Sequence, residues 1–192
     1  MGDSQPGPHP GPRVMAAAVS APEVMSAAAP VLASAPANAS FVYMTYVATS
    51  LDKMWAALTQ GAISKVYWAG RMVDSDWQIG SPVLFRRSSN NQPDIVRAKV
   101  LAIAPPTSLQ MSWTYDLGDG SPQEPASRVT YKLEAATPSN VKFTLTHEPF
   151  EPGSEVADGL REGWSAILSS LKTYLETGQA LEIAKLWEDQ GK

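Results

Sequence analysis

Val141-Lys-Phe-Thr-Leu-Thr-His-Glu-Pro-Phe150, a loop, and then Gly163-Trp-Ser-Ala-Ile-Leu-Ser-Ser-Leu-Lys-Thr-Tyr-Leu-Glu-Thr-Gly178 decide how this chain folds. In the first stretch Val141, Phe143, Leu145 and His147 alternate with Lys142, Thr144 and Thr146. A period of two marks a strand with one buried face and one wet face. Around the second stretch, Leu160, Trp164, Ile167, Leu168, Leu171, Tyr174 and Leu175 fall on one helical stripe over about residues 155–177. Gly178 is a natural residue just past a helix C-terminus. An alternating strand feeding an amphipathic helix with a large aromatic near its start predicts a helix laid into the concave face of a curved sheet. That arrangement leaves a pocket between the two.

Upstream, the same alternation recurs. Leu109, Met111, Trp113 and Tyr115 share one face, with Gln110, Ser112 and Thr114 on the other. Val129, Tyr131 and Leu133 share a face of Arg128–Glu134. Phe41–Ala48, Arg71–Trp77, Val83–Arg86 and Ile95–Ile103 complete the predicted strands, the last stopped by Pro105-Pro106. Ser88–Pro93 reads as a polar hairpin loop and Asp116–Ala126 as a Gly/Pro-rich loop. Between the first two strands, Thr49 or Ser50 caps a helix with Asp52 in its first turn and Leu51, Met54, Trp55 and Leu58 at helical spacing. Gly61 is expected to close it, and a second short helix to cover Ala62–Tyr67. The order is strand, two short helices, consecutive strands with short turns, then a long helix. That predicts the class α+β, an antiparallel sheet of about six or seven strands around a C-terminal helix.

Composition narrows the function classes. The chain has 192 residues, a formal net charge of -4, two histidines (His9 and His147) and no cysteine. One domain with a real core is expected. The charge lacks the basic footprint of a nucleic-acid binder, and no apolar run is long enough for a membrane span. Without cysteine there are no disulfides, thiolate metal sites or Cys nucleophile. This fits a reducing, cytoplasmic location. Two histidines exclude a His-rich metal site, and no cofactor is called for.

Residues 1–39 are a different material, dominated by Pro, Ala, Gly and Ser. Pro6, Pro8, Pro10, Pro12, Pro22, Pro30 and Pro36 break any regular element. The expectation is a disordered tail, because too little apolar surface is present to offset the ordering entropy. A secretory signal is the rival reading, with Arg13 ahead of Val14–Val19 and Ala33-Ser34-Ala35 as a cleavage-like site. Pro22 and Glu23 interrupt that run. The domain is expected over 40–178. Residues 179–192 form a helical extension through Leu181, Ile183, Leu186 and Trp187, either docked on its own domain or mediating a homodimer.

In this order, several pieces make the chain resemble the START-like helix-grip superfamily, also called SRPBCC. Within it the chain is similar to the family named for the activator of the heat-shock-protein-90 ATPase. The pieces are Tyr46-Val-Ala-Thr-Ser-Leu-Asp-Lys-Met-Trp-Ala-Ala-Leu58, Tyr67-Trp68, Asp76-Trp-Gln-Ile-Gly80 and Val100-Leu-Ala-Ile-Ala-Pro-Pro106. Leu109-Gln-Met-Ser-Trp113, Ser127-Arg-Val-Thr-Tyr-Lys-Leu133, Thr146-His-Glu-Pro-Phe150 and Gly163-Trp164 follow. They span about residues 41–178. The resemblance implies a helix-grip fold with a cavity between sheet and last helix, and no single activity. Relatives bind lipids or hydrophobic small molecules, cyclise polyketides, or assist the chaperone. The eukaryotic co-chaperone carries a further domain, for which the first 40 residues here are too short and too poor in core residues.

Candidate site residues each carry a plainer reading. Trp113, Tyr115, Tyr131, Phe143, Phe85 and Trp164 either line an aromatic pocket, with Leu168 on the helix behind it, or are ordinary core. The pair Tyr67-Trp68, between helix and strand, shapes the cavity entrance or seals the core edge. His147 points inward by periodicity. It acts as a proton donor or acceptor, or it hydrogen-bonds a loop and orders Glu148–Phe150. Of Arg71, Arg86 and Arg97, Arg97 shares parity with Leu101 and Ile103 unless a bulge intervenes, so it is the best candidate to anchor a carboxylate or phenolate; the plainer reading is a solvated outer face. Asp74 and Asp76 read as solvent-facing. Gly159 and Gly163 in the long helix imply close backbone approach or room for a ligand.

Three functions follow in order. The first is a non-enzymatic cavity protein binding a hydrophobic, aromatic small molecule. The second is a cyclase/dehydratase-type enzyme using His147. The third is a co-chaperone-like interaction module.

Overall fold

The computed structural model describes residues 39–87, 89, 93–115, 126–150 and 155–185. The expectations for the N-terminal tail, for the Asp116–Ala126 loop except Ala126, for most of the Ser88–Pro93 loop, and for Leu186 and Trp187 lie outside them.

Seven strands form one antiparallel sheet: β1 (Ala39–Val47), β2 (Arg71–Asp74), β3 (Pro82–Arg87), β4 (Pro93–Ala104), β5 (Ser108–Tyr115), β6 (Ser127–Thr137) and β7 (Asn140–Phe150). Their order across the sheet is β1-β7-β6-β5-β4-β3-β2. The first strand thus pairs with the last, and β1 and β2 are the two edges. The short helices α1 (Leu51–Thr59) and α2 (Gly61–Tyr67) carry the chain from one edge to the other. The long helix α3 (Glu155–Thr177) closes the curled sheet.

The expected alternation is present. Leu109, Met111 and Trp113 on β5, Val129, Tyr131 and Leu133 on β6, and Val141, Phe143, Leu145 and His147 on β7 are all buried. From α3 come Leu160, Trp164, Ile167, Leu168 and Leu171, also buried. Each such apolar side chain contributes on the order of 1.5–3 kcal/mol by leaving water. Sheet face and helix stripe therefore supply the core between them.

Local chemistry sets the ends of the elements. Ser50 caps α1, its Oγ accepting from the Lys53 N–H at 3.3 Å, with Asp52 in the first turn. Gly61 opens α2 rather than closing α1. A Cβ there would stand 2.7 Å from the Val73 carbonyl oxygen, so only glycine lets α2 approach β2 this closely. Buried Ser64 completes that joint, donating to the Arg71 carbonyl at 3.0 Å and accepting from the Val73 N–H at 2.9 Å. The strand expected over Arg71–Trp77 stops at Asp74, the last residue paired with β3, and Trp77 beyond it sits at φ 54°, outside extended geometry. Gly178, at φ 80°, follows α3 as expected, its N–H bonding the Tyr174 carbonyl at 2.8 Å. Beyond it the chain docks on its own domain. Ile183 is buried, and the Leu181 N–H donates to Ser170 Oγ at 3.2 Å.

One inward expectation is corrected. The ladder between β4 and β5 shifts register between Val100 and Ala102. This bulge separates the parity of Arg97 and Leu101 from that of Ile103. Ala98 and Val100 are the buried residues before it, and Lys99 and Leu101 are exposed. Arg97 therefore lies on the outer face, where its Nη1 donates to the Val96 carbonyl at 3.2 Å.

Candidate functional site

The inner face at the Trp164 end of α3 gathers most of the sequence-predicted residues. Trp164 is the hub. Its ring lies 5.7 Å from Trp68, 5.3 Å from Trp113, 6.3 Å from Tyr131 and 6.2 Å from the His147 ring, between centroids. Phe85 bridges Trp68 and Trp113 at 5.1 and 5.2 Å, and Phe143 adjoins Tyr131 at 5.7 Å. Tilted and edge-on rings at these separations each add about 0.5–1.5 kcal/mol beyond area burial. Leu168, one turn along α3, is buried behind them. Tyr115 stands half-buried at the margin, edge-on to Trp113 at 6.4 Å. Arg97 is not part of the cluster.

His147 is completely buried, at 0 % exposure. The Trp164 indole Nε1–H donates to His147 Nδ1 at 3.0 Å. An indole nitrogen is only ever a donor, so Nδ1 must carry its lone pair and the ring proton must sit on Nε2. Nε2–H then donates to Ser127 Oγ at 2.7 Å, and Ser127 donates onward to the Trp113 carbonyl at 3.1 Å. Donors and acceptors are consistent along the whole chain. It links α3, β7, β6 and β5 through neutral groups. Burial pushes the His147 pKa down to about 3, since an imidazolium there would lose its water. Glu148–Phe150 continue β7, and the hydrogen bonds of His147 described above run to the start of β6 and to α3.

The same environment disfavours anions. Burial raises the Tyr67 hydroxyl well above its ordinary value, and Tyr67 donates to the Ala57 carbonyl at 3.0 Å. Tyr131 is raised by burial first and by Tyr67 second. Ser127 is not among the candidates that the sequence suggests. Ser127 shares parity with Val129 and Tyr131, which was the available signal. Tyr67 was seen only as one of an aromatic pair.

The glycines of α3 resolve one alternative. A Cβ on Gly159 or Gly163 would meet nothing within 4 Å, so neither marks a close backbone approach. Gly163 is half-buried and adjacent to Trp164. Among the described residues no group of three or more His, Cys, Asp or Glu could hold a metal ion, and no helix is long and apolar enough to cross a membrane.

A curled seven-stranded antiparallel sheet closed by a long C-terminal helix is the helix-grip architecture of the START-like, SRPBCC class. The chain belongs to the family described as Activator of Hsp90 ATPase homolog 1-like protein, which matches residues 48–176. No curated protein sequence matches the chain. Among solved structures it is similar to protein MLL2253 from Mesorhizobium loti, at 22 % identity and a TM-score of 0.59, covering 71 % of this chain and 96 % of that one. It is similar to the Aha1 dimer from Colwellia psychrerythraea, at 20 % identity and TM-score 0.58, covering 74 % and 99 %. It is also similar to an HSP90 activator from Plasmodium falciparum, at 17 % identity and TM-score 0.57, covering 71 % and 95 %. At these identities the likeness is one of fold.

Proposed function

We propose that this protein binds a hydrophobic, flat aromatic small molecule between the inner face of the sheet and α3, without catalysing its conversion. The observation that carries this reading is the cluster around Trp164. It concentrates aromatic rings at the sheet–helix seam, and its polar groups are held neutral. Such linings suit flat apolar ligands fixed by a few polar contacts. The half-buried open space beside Gly163 supports the same placement. In this proposal Trp68, Phe85, Trp113, Tyr131, Phe143 and Trp164 contact the ligand, while Tyr115, His147 and Leu168 frame it. Arg97, on the outer face, is left out.

The hydrogen-bond chain weighs against a cyclase-type role for His147. A general base needs a free lone pair near neutral pH. Here Nδ1 is occupied by the Trp164 indole and Nε2 carries the proton given to Ser127. The absence of cysteine suits a cytoplasmic setting.

The test is native mass spectrometry of the purified protein, with thermal-shift screening against flat aromatic and lipid-like compounds. A ligand at a hundredfold excess over its Kd stabilises by about 2.7 kcal/mol, which moves the melting temperature visibly. A retained ligand, or a hit lost in a folded Trp164→Ala variant, is the expected result. The absence of both a retained mass and any stabilising hit would overturn the reading.

A second reading, docking to a protein partner or to a second copy of the chain, is favoured by one observation. The outer face of edge strand β1 exposes Val42 (58 %), Met44 (54 %) and Tyr46 (55 %) together. Unprotected edges with apolar faces invite further strands or partners. Light scattering across a concentration series, with Met44→Lys as the disrupting variant, checks the self-association form of this reading.

A further inference from the structure

One polar group inside the aromatic cluster has no hydrogen-bond partner among the described residues. The Trp113 indole Nε1–H is buried and makes no hydrogen bond, although Trp113 itself is only 3 % exposed. Buried indole donors are ordinarily paired, and leaving one unpaired costs about as much as a lost hydrogen bond. The neighbouring indole shows what pairing looks like here, since Trp164 gives its N–H to His147 at 3.0 Å. Trp113 cannot share that acceptor, because His147 Nδ1 is already taken and Nε2 is a donor. Its ring is bounded by Phe85, Trp164, His147 and Tyr115. None of these side chains supplies an acceptor to the Trp113 N–H.

We propose that Trp113 Nε1–H is the polar anchor of the site, and that the ligand is a flat aromatic molecule bearing a neutral hydrogen-bond acceptor, such as a ring carbonyl. This rests on the ligand-binding reading above and narrows it to a chemical class. The acceptor must be neutral for two reasons. Arg97, the best candidate for a cationic anchor in the sequence, lies on the outer face. The surroundings also resist charge of either sign, holding His147 unprotonated and raising the Tyr131 hydroxyl. A carboxylate entering this aromatic cluster would lose its hydration, at far greater cost than a neutral group. A ring carbonyl loses far less and gains the indole bond.

Three probes on one tricyclic frame separate the possibilities: fluorene, 9-fluorenone and fluorene-9-carboxylate. Binding is followed by tryptophan fluorescence and by the indole resonances in a 15N-labelled sample of the full chain. Trp113→Phe keeps a ring and deletes the donor. The substitution alters a ring that contacts both probes, so the donor is read from the difference: the expected result is that fluorenone is weakened about tenfold more than fluorene. In the unmodified protein, fluorenone but not fluorene should shift the Trp113 indole proton downfield. That readout stands even where the variant folds poorly. The carboxylate should bind more weakly than fluorenone. Fluorenone binding untouched by the substitution, with the indole resonance unmoved, would overturn the anchor while leaving the ligand-binding reading in place. Tighter binding of the carboxylate would overturn the neutral-acceptor class. Failure of all three probes to bind would overturn both.

Discussion

The two halves of α3 are tied to the sheet by opposite physics. At the N-terminal half, Trp164 is held by a buried, uncharged chain through His147 and Ser127. At the C-terminal half, Lys172 and Glu176 form an i,i+4 ion pair at the surface and reach across to the end of β1. Lys172 Nζ donates to the Tyr46 carbonyl at 2.7 Å, and Glu176 Oε1 accepts from the Ala48 N–H at 2.9 Å. The bond from Lys172, then that from Ala48, lowers the Glu176 pKa. The first tether excludes water and gains strength from the low dielectric; the second is wet, screened and replaceable. The teaching is that the seam is rigid where the aromatic rings gather and adjustable where charges hold it.

The largest test of this contrast is Trp164→Ala. Removing the hub of the cluster and the donor to His147 should cost about 3–5 kcal/mol in chemical denaturation. A loss below about 1 kcal/mol would show that the seam collapses without harm.

Next is His147→Leu, which strands the Trp164 N–H and removes the donor to Ser127 Oγ, and should cost about 1–3 kcal/mol. This variant also sharpens the pH contrast. The folded His147 pKa lies below the unfolded one, so below about pH 6.5 the unfolded chain takes up a proton that the native state refuses. Stability from this group is complete above that pH and falls as pH drops toward 3, by up to about 1.4 kcal/mol per unit. Between pH 6.5 and 5, melting of the native protein should decline and that of His147→Leu should be flatter. Equal slopes would break the assignment.

Ser127→Ala should cost about 1 kcal/mol by orphaning the Nε2 proton. Glu176→Gln should cost less, at most about 1 kcal/mol, because its partners stay half-exposed. High salt should erase most of the Glu176 effect and leave that of Ser127 unchanged, as read from melting curves at two ionic strengths. The lowered Glu176 pKa places its contribution above about pH 4.5, lost on acidification below it.

The sheet's inner face was legible because β5, β6 and β7 alternate cleanly, and α3 because its stripe repeats at helical spacing. Those patterns belong to single elements. What escaped belongs to pairs of elements. The bulge between Val100 and Ala102, which sends Arg97 outward, depends on how β4 pairs with β5. The approach that demands Gly61 depends on where α2 meets Val73. The inward aim of His147 followed from parity, but its partners required the register that sets Val129 opposite His147 and Ser127 opposite Trp113. Aromatic membership was thus readable from sequence, whereas the hydrogen-bond chain and the unpaired Trp113 donor were not.

The most direct test of a neutral, structural His147 is 15N NMR of its imidazole across the pH range. The account predicts a single tautomer with the proton on Nε2 and no titration between pH 7 and about 4.5, given a pKa near 3. A proton on Nδ1, or titration near the ordinary histidine value, would contradict it and return His147 to the list of acid–base candidates.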